Sequence, residues 1–423
     1  MRVRAFLAAV TVVLAASGCT TGGYSEDPSE TLTMLTHYGS EPHKSGLKKL
    51  VDEWNSTHPD VQVKTQNVPY NELLQSVTAR HASGQSPDII NGYSLWGGQL
   101  AEADVLDEPP GDIDTDIREN YSPAAAKTVT VGDHVLGYPT EMQTYALYYN
   151  KKLLADAGVK RPPKTWDELV DIAKKTTVTD DTGNLDVAGF GLTTDFSDSA
   201  VVHPFASLLQ SAGGEYLTGD GTAAFDSKAG AKALSLQKEL IEAGTADPGL
   251  NVAKAFPANR IAMTIHAGFF NGVIKGMMGE QHKDVGVAPI PGPEAGDRGS
   301  LAYGFFTGVN SGSDQKDEAW EFLRWLNAEK AKGGATRMGA FQFSAGGVPA
   351  RVTDGEALVG DDPNLRPFID ALDYALPEPN PRGGQQMKTA LQGSIQSVWT
   401  GDATVAESLR SAAAEADATL NQD

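Results

Sequence analysis

Thr31-Leu32-Thr33-Met34-Leu35-Thr36 has the composition and partial alternation of a strand, and the residues that follow it decide the fold. Leu47, Leu50, Val51 and Trp54 fall at i, i+3, i+4 and i+7 and make one apolar helix face. Val61-Gln62-Val63-Lys64 alternates as a second strand, residues 70–82 read as a second helix, and 88–93 (DIINGY) read as a buried third strand. Strand, helix, strand, helix, strand in that order predicts an α/β sheet with helical crossovers. Further along, Thr165 followed by Glu168 predicts a capping box. Ile261, Met263 and Ile265 alternate as a strand, and Ala319, Phe322, Leu323 and Leu326 mark an amphipathic helix. Leu409, Ala413, Ala416 and Leu420 mark the last helix. No internal repeat or low-complexity run is visible, and this helix-rich pattern fits two lobes better than one barrel.

The chain has 423 residues, which at about 150 per domain allows two or three domains. Apolar residues make up 40% and charged residues 21%, enough material for two cores in a soluble body. Thirty-four Lys and Arg against 55 Asp and Glu leave a net charge of −21. A surface that acidic repels phosphate backbones and anionic headgroups, so nucleic acid is not an expected partner. The body contains no apolar run long enough to span a bilayer. A single cysteine excludes internal disulfides and four-cysteine metal sites.

That cysteine sits at the end of a targeting signal. Arg2 and Arg4 form a short basic region, residues 5–16 are apolar but short for a span, and Ala16-Ser17-Gly18 precede Cys19. The pattern resembles the lipobox of bacterial lipoproteins, with Ala16 at the place usually held by Leu. It implies a signal peptide over 1–18 and lipidation of Cys19. Residues 19–30 are small and polar and read as a flexible, lipid-anchored tether.

Enzyme signatures such as G-x-S-x-G, H-E-x-x-H and the phosphate-binding glycine loops do not occur. The eight histidines lack metal-ligand spacing, so neither a metal nor a cofactor is expected. Asp180-Asp181-Thr182-Gly183-Asn184 has a superficial likeness to a calcium loop, but Gly191 stands at the twelfth position where a closing Glu is needed. An acidic turn is the better interpretation. What stands out is a set of rings near strand-to-loop transitions: Trp96, Tyr138, Tyr145, Trp166, His203, Phe269, Phe270 and Tyr303. Sugars present C–H faces that pack on rings and hydroxyls that need polar partners, so a pocket mixing both suits them. Core packing accounts for some of these rings, Trp166 beside the Thr165 cap among them.

Gly137-Tyr138-Pro139, the run from Ala146 to Leu154 (ALYYNKKLL), and Pro163-Lys164-Thr165-Trp166-Asp167-Glu168-Leu169 together resemble the extracellular solute-binding proteins of carbohydrate ABC importers. These form the maltose-binding-protein-like family 1. The likeness continues in Pro87-Asp88-Ile89-Ile90, Ser211-Ala212-Gly213-Gly214, Asn259-Arg260-Ile261-Ala262-Met263-Thr264, Glu318-Ala319-Trp320-Glu321-Phe322-Leu323 and Gly347-Val348-Pro349-Ala350. It implies an α/β, two-lobed periplasmic-binding-protein-like fold with a hinge and a central ligand cleft. Lobe one would hold residues 31–143 and 306–346, and lobe two 146–302 and 350–423. Chain crossings would fall near 143–146, 303–305 and 347–351.

By the same resemblance, the turn after the first strand faces the cleft, giving His37, Tyr38, Gly39 and Glu41. Ser94 and Trp96 follow from the end of the 88–93 strand, and Gln143 from the first hinge. Tyr145, His203 and Tyr303 join them from the aromatic set. Relatives often place Gly-x-Trp after the strand at 261–265. Here Gly268-Phe269-Phe270 stands in that place, with Gly268 allowing close backbone approach and Phe270 favoured slightly over Phe269 as the stacking ring. Arg351 and Arg382 would add late polar contacts. The implied function is capture of a mono- or oligosaccharide outside the membrane and delivery to an ABC permease, without catalysis, by a monomer tethered through its lipid. Thr20 after the cysteine favours a Gram-positive cell. Another polyol such as a glycerophosphodiester is the alternative ligand, and a secreted glycosidase the alternative class; the first needs a cationic site and the second a pair of acids across the sugar.

Overall fold

The structure is a computed structural model and describes residues 30–192, 194, 198–359, 362 and 364–421. The signal segment, Cys19 and most of the tether lie outside the described residues. Among the described residues, no helix is long and apolar enough to cross a membrane.

The opening pattern folds as its periodicity dictates. Strand Glu30–Thr36 pairs in parallel with Val61–Asn67 on one side and Ile89–Tyr93 on the other. Helix His43–Thr57 supplies the first crossover and buries Leu47, Leu50, Val51 and Trp54. Strand Leu301–Val309 then adds antiparallel to Ile89–Tyr93, and strand Tyr138–Asn150 adds antiparallel to Leu301–Val309. Tyr138–Asn150 is the axis of the molecule. Its first half pairs with residues of the first lobe, and its second half pairs with strand Ile261–Ala267, which carries strand Leu185–Gly191 beside it. Apart from Tyr149 this long strand is buried throughout, so its core-facing periodicity is hidden.

Two local signals resolve differently from each other. Thr165 caps helix Trp166–Thr176 by accepting from the Glu168 N–H, as its spacing predicts. The reciprocal half of the box is absent: the Glu168 carboxylate accepts from the Lys164 N–H and pairs with Arg161 at 2.7 Å instead. The full capping box lies at Thr404 and Glu407, opening helix Val405–Leu420. Asp180 makes the expected acidic turn, accepting from the Thr182 hydroxyl and from the N–H groups of Asn184 and Thr182, which hold its carboxyl down at about 2.

After residue 347 the chain passes the long strand more than once. Val348-Pro349 pairs with Met142 and Glu141, near the third expected crossing. Next Arg351 pairs with Asp116, and Asp354 accepts from the Thr336 N–H. The chain reaches lobe two by Phe368, whose carbonyl accepts from the Thr144 hydroxyl and whose ring lies 5.6 Å from Tyr148. Leu376-Pro377 next pairs with Leu301 and Ala302, and Asn380 touches lobe one again, accepting from the Gly98 N–H and donating to the Thr128 carbonyl. A side chain at Gly98 would meet the 380–382 backbone at 2.5–2.7 Å, so glycine is required for that approach.

Candidate functional site

Two adjoining cavities open at this junction, and His37 and Phe269 line both. The inner one, about 230 Å³, is a chamber of rings. Tyr93 and Phe305 face each other from neighbouring strands, 5.2 Å apart, and Tyr70 closes one side at the start of helix Tyr70–Ala82. Tyr145 and Tyr303 come from the two long strands, with ring centroids 6.1 Å apart. His266 and Ser199 complete the lobe-two wall. The outer cavity, about 970 Å³, is mixed: it holds Tyr38, Glu41, Glu141, Lys275 and Asp362 among its lining.

His37 and His266 in these walls are neutral. Burial pushes His37 down to about 3, helped by nearby His43, and burial pushes His266 down to about 3. His37 stacks on Phe305 at 4.2 Å, and its buried Nδ1 has no hydrogen-bond partner, leaving a polar atom at the boundary of the two cavities.

Behind the chamber lies a buried charge cluster. Glu378 accepts from the Tyr93 hydroxyl at 2.5 Å and from His203 Nε2 at 2.7 Å, and Lys388 Nζ stands 3.1 Å from it. Burial by itself would raise this carboxyl; the Lys388 charge and the hydrogen bonds from His203 and Tyr93 outweigh burial and hold it at about 2. The Tyr145 hydroxyl lies 3.1 Å from His203 Nδ1.

The expected site residues divide. His37, Tyr145, Phe269 and Tyr303 line the inner chamber, and Tyr38 and Glu41 line the outer cavity. Gln143 is spent inside the hinge, donating to Glu141 at 3.1 Å and accepting from the Phe269 N–H at 3.0 Å. Ser94 is fully buried and accepts from the Gly304 N–H. Trp96 packs behind the wall, stacked on Tyr70 at 5.5 Å. His203 sits behind Tyr145 rather than in the chamber, and Gly39 is exposed and lines neither cavity.

Four more of the expected residues lie away from the cavity faces or differ in role. Phe270 is fully buried, stacked on His266 at 4.2 Å and edge-on to Tyr148, so Phe269 is the ring that faces the cavities. The space beside Gly268 is filled by Val348, Gln143 and Phe368, so its small size serves packing rather than ligand approach. Arg351 forms a two-pronged pair with Asp116 at 2.7 and 2.8 Å under Tyr121, within lobe one. Arg382 pairs with Glu102 at 2.8 Å at the surface and lines neither cavity.

Tyr70, Tyr93, Phe305, Glu141, Glu378 and Lys388 were not legible as site residues. Tyr93 ends a strand read from the sequence, but Glu378 and Lys388 meet only because the 376–384 segment folds back across the junction. Among the described residues, no group of three or more His, Cys, Asp or Glu is placed to hold a metal ion.

Two lobes joined by shared strands, with a ring-lined cavity at their junction, define a binding protein that encloses a small solute. The chain belongs to the bacterial extracellular solute-binding proteins, whose family pattern matches residues 38–333. It is 26% identical over 412 residues to a Brucella abortus (strain 2308) protein described as a binding protein, covering 94% of this chain and 95% of that one. It is 25% identical over 374 residues to a maltotriose-binding protein of Pyrococcus abyssi (strain GE5 / Orsay), covering 83% and 74%. Its fold matches the crystal structure of a cyclic α-maltosyl-1,6-maltose binding protein from Arthrobacter globiformis. That match has a TM-score of 0.78 and 25% identity, and covers 92% of this chain and 98% of that one.

Proposed function

We propose that this protein captures a carbohydrate in the junctional cleft outside the cytoplasmic membrane and delivers it to the permease of an ABC importer. The observation that carries this is the inner chamber: a monosaccharide-sized space walled by tyrosine and phenylalanine rings, with hydroxyls and neutral imidazoles as its polar groups. Ring faces pack on sugar C–H groups, and the hydroxyls match the sugar's own. The maltotriose-binding relative and the maltosyl-maltose-binding structure support the same ligand class.

A glycerophosphodiester is disfavoured. Lys275 is the one lysine or arginine in the lining of the two cavities, and it is paired with Asp362. Glycoside cleavage is disfavoured because the inner chamber has no carboxylate in its lining, and in the adjoining cavity Glu141 is tied to Tyr38 and Gln143 and Asp362 to Asn271 and Lys275. In this proposal the ligand is bound unchanged, lobe closure removes it from water, and the permease recognises the closed form. Cys19 carries the lipid that holds a monomer on the outer face of a Gram-positive membrane.

A thermal-shift screen against mono- and oligosaccharides tests the proposal, since a ligand bound only by the folded state raises its melting temperature. At least one neutral sugar should do so and be recovered chemically intact. A shift with glycerophosphodiesters and none with sugars would overturn it.

A further inference from the structure

The cluster behind the chamber holds charges that no ligand needs to touch. Glu378, Lys388 and His203 are all nearly or fully buried, and they come from the crossing segment, helix Gly384–Thr400 and helix Ser199–Ser211. Charges so buried persist only when paired and hydrogen-bonded, and these are. Lys388 donates to the Tyr93 hydroxyl at 2.9 Å, stands 3.1 Å from Glu378 and 3.7 Å from Asp198.

The proton positions follow from the donors available. Glu378 is a carboxylate and can only accept, so His203 carries a proton on Nε2, 2.7 Å away. Burial lowers the His203 pKa, and the Lys388 charge adds to this against the pull of Glu378, so the ring is neutral and its Nδ1 is an acceptor. The Tyr145 hydroxyl, 3.1 Å from Nδ1, must then donate to it. The Tyr93 hydroxyl donates to Glu378 and receives Lys388. Both tyrosines line the chamber, and both have committed their only proton to the cluster.

We propose that Glu378, Lys388 and His203 are positioning residues that set the polarity of the chamber, so that Tyr93 and Tyr145 offer lone pairs, and no protons, to the ligand. The solute is therefore one that brings a hydroxyl donor to this wall, a requirement that deepens, and rests on, the carbohydrate proposal above. A cluster that merely filled the core would not fix which way these hydrogen bonds run.

The first test needs no ligand. In the ¹⁵N-histidine-labelled protein, with His203 assigned from the spectrum of the His203→Gln variant, His203 should be neutral at pH 7 with its proton on Nε2. A proton on Nδ1, or an imidazolium, would overturn the proposal. The second test uses maltose and its monodeoxy and monodeoxyfluoro derivatives, because fluorine accepts weakly but cannot donate. At the ring position that meets the wall, both derivatives should lose about tenfold in affinity, one hydrogen bond's worth. Fluoro derivatives that keep the parent affinity wherever the deoxy sugars lose it would overturn the proposal. If maltose itself produces no binding, the failure belongs to the choice of sugar or to the carbohydrate proposal, and the histidine spectrum still decides the polarity of the wall.

Discussion

The inner chamber and the outer cavity share His37 and Phe269, yet they solve the same problem with opposite materials. The inner chamber is walled by rings and hydroxyls and has its charges one layer back, in the Glu378 cluster. The outer cavity places its charges at the surface of the cavity: Glu41, Glu141, Lys275 and Asp362 are all in its lining. Charges held in a second layer orient hydrogen bonds without the cost of being uncovered and recovered each time a ligand enters. In the outer cavity Glu141 and Asp362 are buried but tied to neighbours, Glu141 to Tyr38 and Gln143 and Asp362 to Asn271 and Lys275, so these charges already have partners.

The difference has graded consequences. The largest effect falls on the hidden layer. Lys388→Met leaves Glu378 buried without its principal cation and should cost about 3–5 kcal/mol of stability, read from denaturant melts. A loss under 1 kcal/mol would mean that water reaches Glu378 and that the cluster is not dry.

The paired rings at the boundary come next. Phe270→Ala opens a hole between His266 and Tyr148 and should cost about 3–5 kcal/mol, with affinity for the bound sugar little changed once the protein is folded. Phe269→Ala should cost less than about 1 kcal/mol of stability. It should weaken sugar binding about tenfold, since ring contact is what it removes. Calorimetry beside melting curves separates the two, and identical behaviour of the two variants would break the assignment of Phe269 to the cavity.

Acid should act on the inner chamber first. His37 and His266 titrate near about 3 in the folded protein against an ordinary 6.5, so the unfolded chain binds more protons below pH 6.5. Their contribution to stability is complete above that value and is lost as pH falls toward 3. Glu378, held near about 2 against 4.5, adds a loss that begins only below pH 4.5. Melting temperatures should be flat from pH 8 to 7 and decline below 6.5, and a His37→Gln, His266→Gln double variant should decline less steeply between pH 6.5 and 5. Equal slopes would show that those rings do not remain neutral in the fold.

The smallest effect belongs to the outer cavity. Glu141 already accepts from Tyr38 at 3.3 Å and from Gln143 at 3.1 Å, and Glu141→Gln keeps its shape while removing its charge. Affinity for a trisaccharide should fall about fivefold or less, and that for a monosaccharide should not change. An equal loss for both would merge the two cavities into one subsite.

How much of this was legible depended on how far apart in the chain the partners lie. The elements of 31–93 are legible because their helices each bury one face locally, and the continuous apolar run of Ile89–Tyr93 marks a strand buried on both faces. Phe269 and Phe270 could be placed near the cleft but not in register: strand Ile261–Ala267 ends just before them, and helix Phe270–Met278 turns its first residue into the core. Arg351 and Arg382 looked available because nothing near them in sequence announces Asp116 or Glu102. Of the second layer only His203 stood out in the sequence, as one of the rings, since Tyr93, Glu378 and Lys388 join it through the return of the 376–384 segment across the junction.

The most direct measurement is a calorimetric titration of the wild-type protein and its Tyr303→Ala variant with the sugar that gives the largest thermal shift. Tyr303 stands on the inner chamber wall, 4.7 Å from His203 and 6.1 Å from Tyr145. Saturable one-to-one binding that the variant loses, with no change in the sugar, is the result expected of a carbohydrate-binding cleft at this junction. Undiminished binding by the variant, or cleavage of the sugar during the titration, would contradict it.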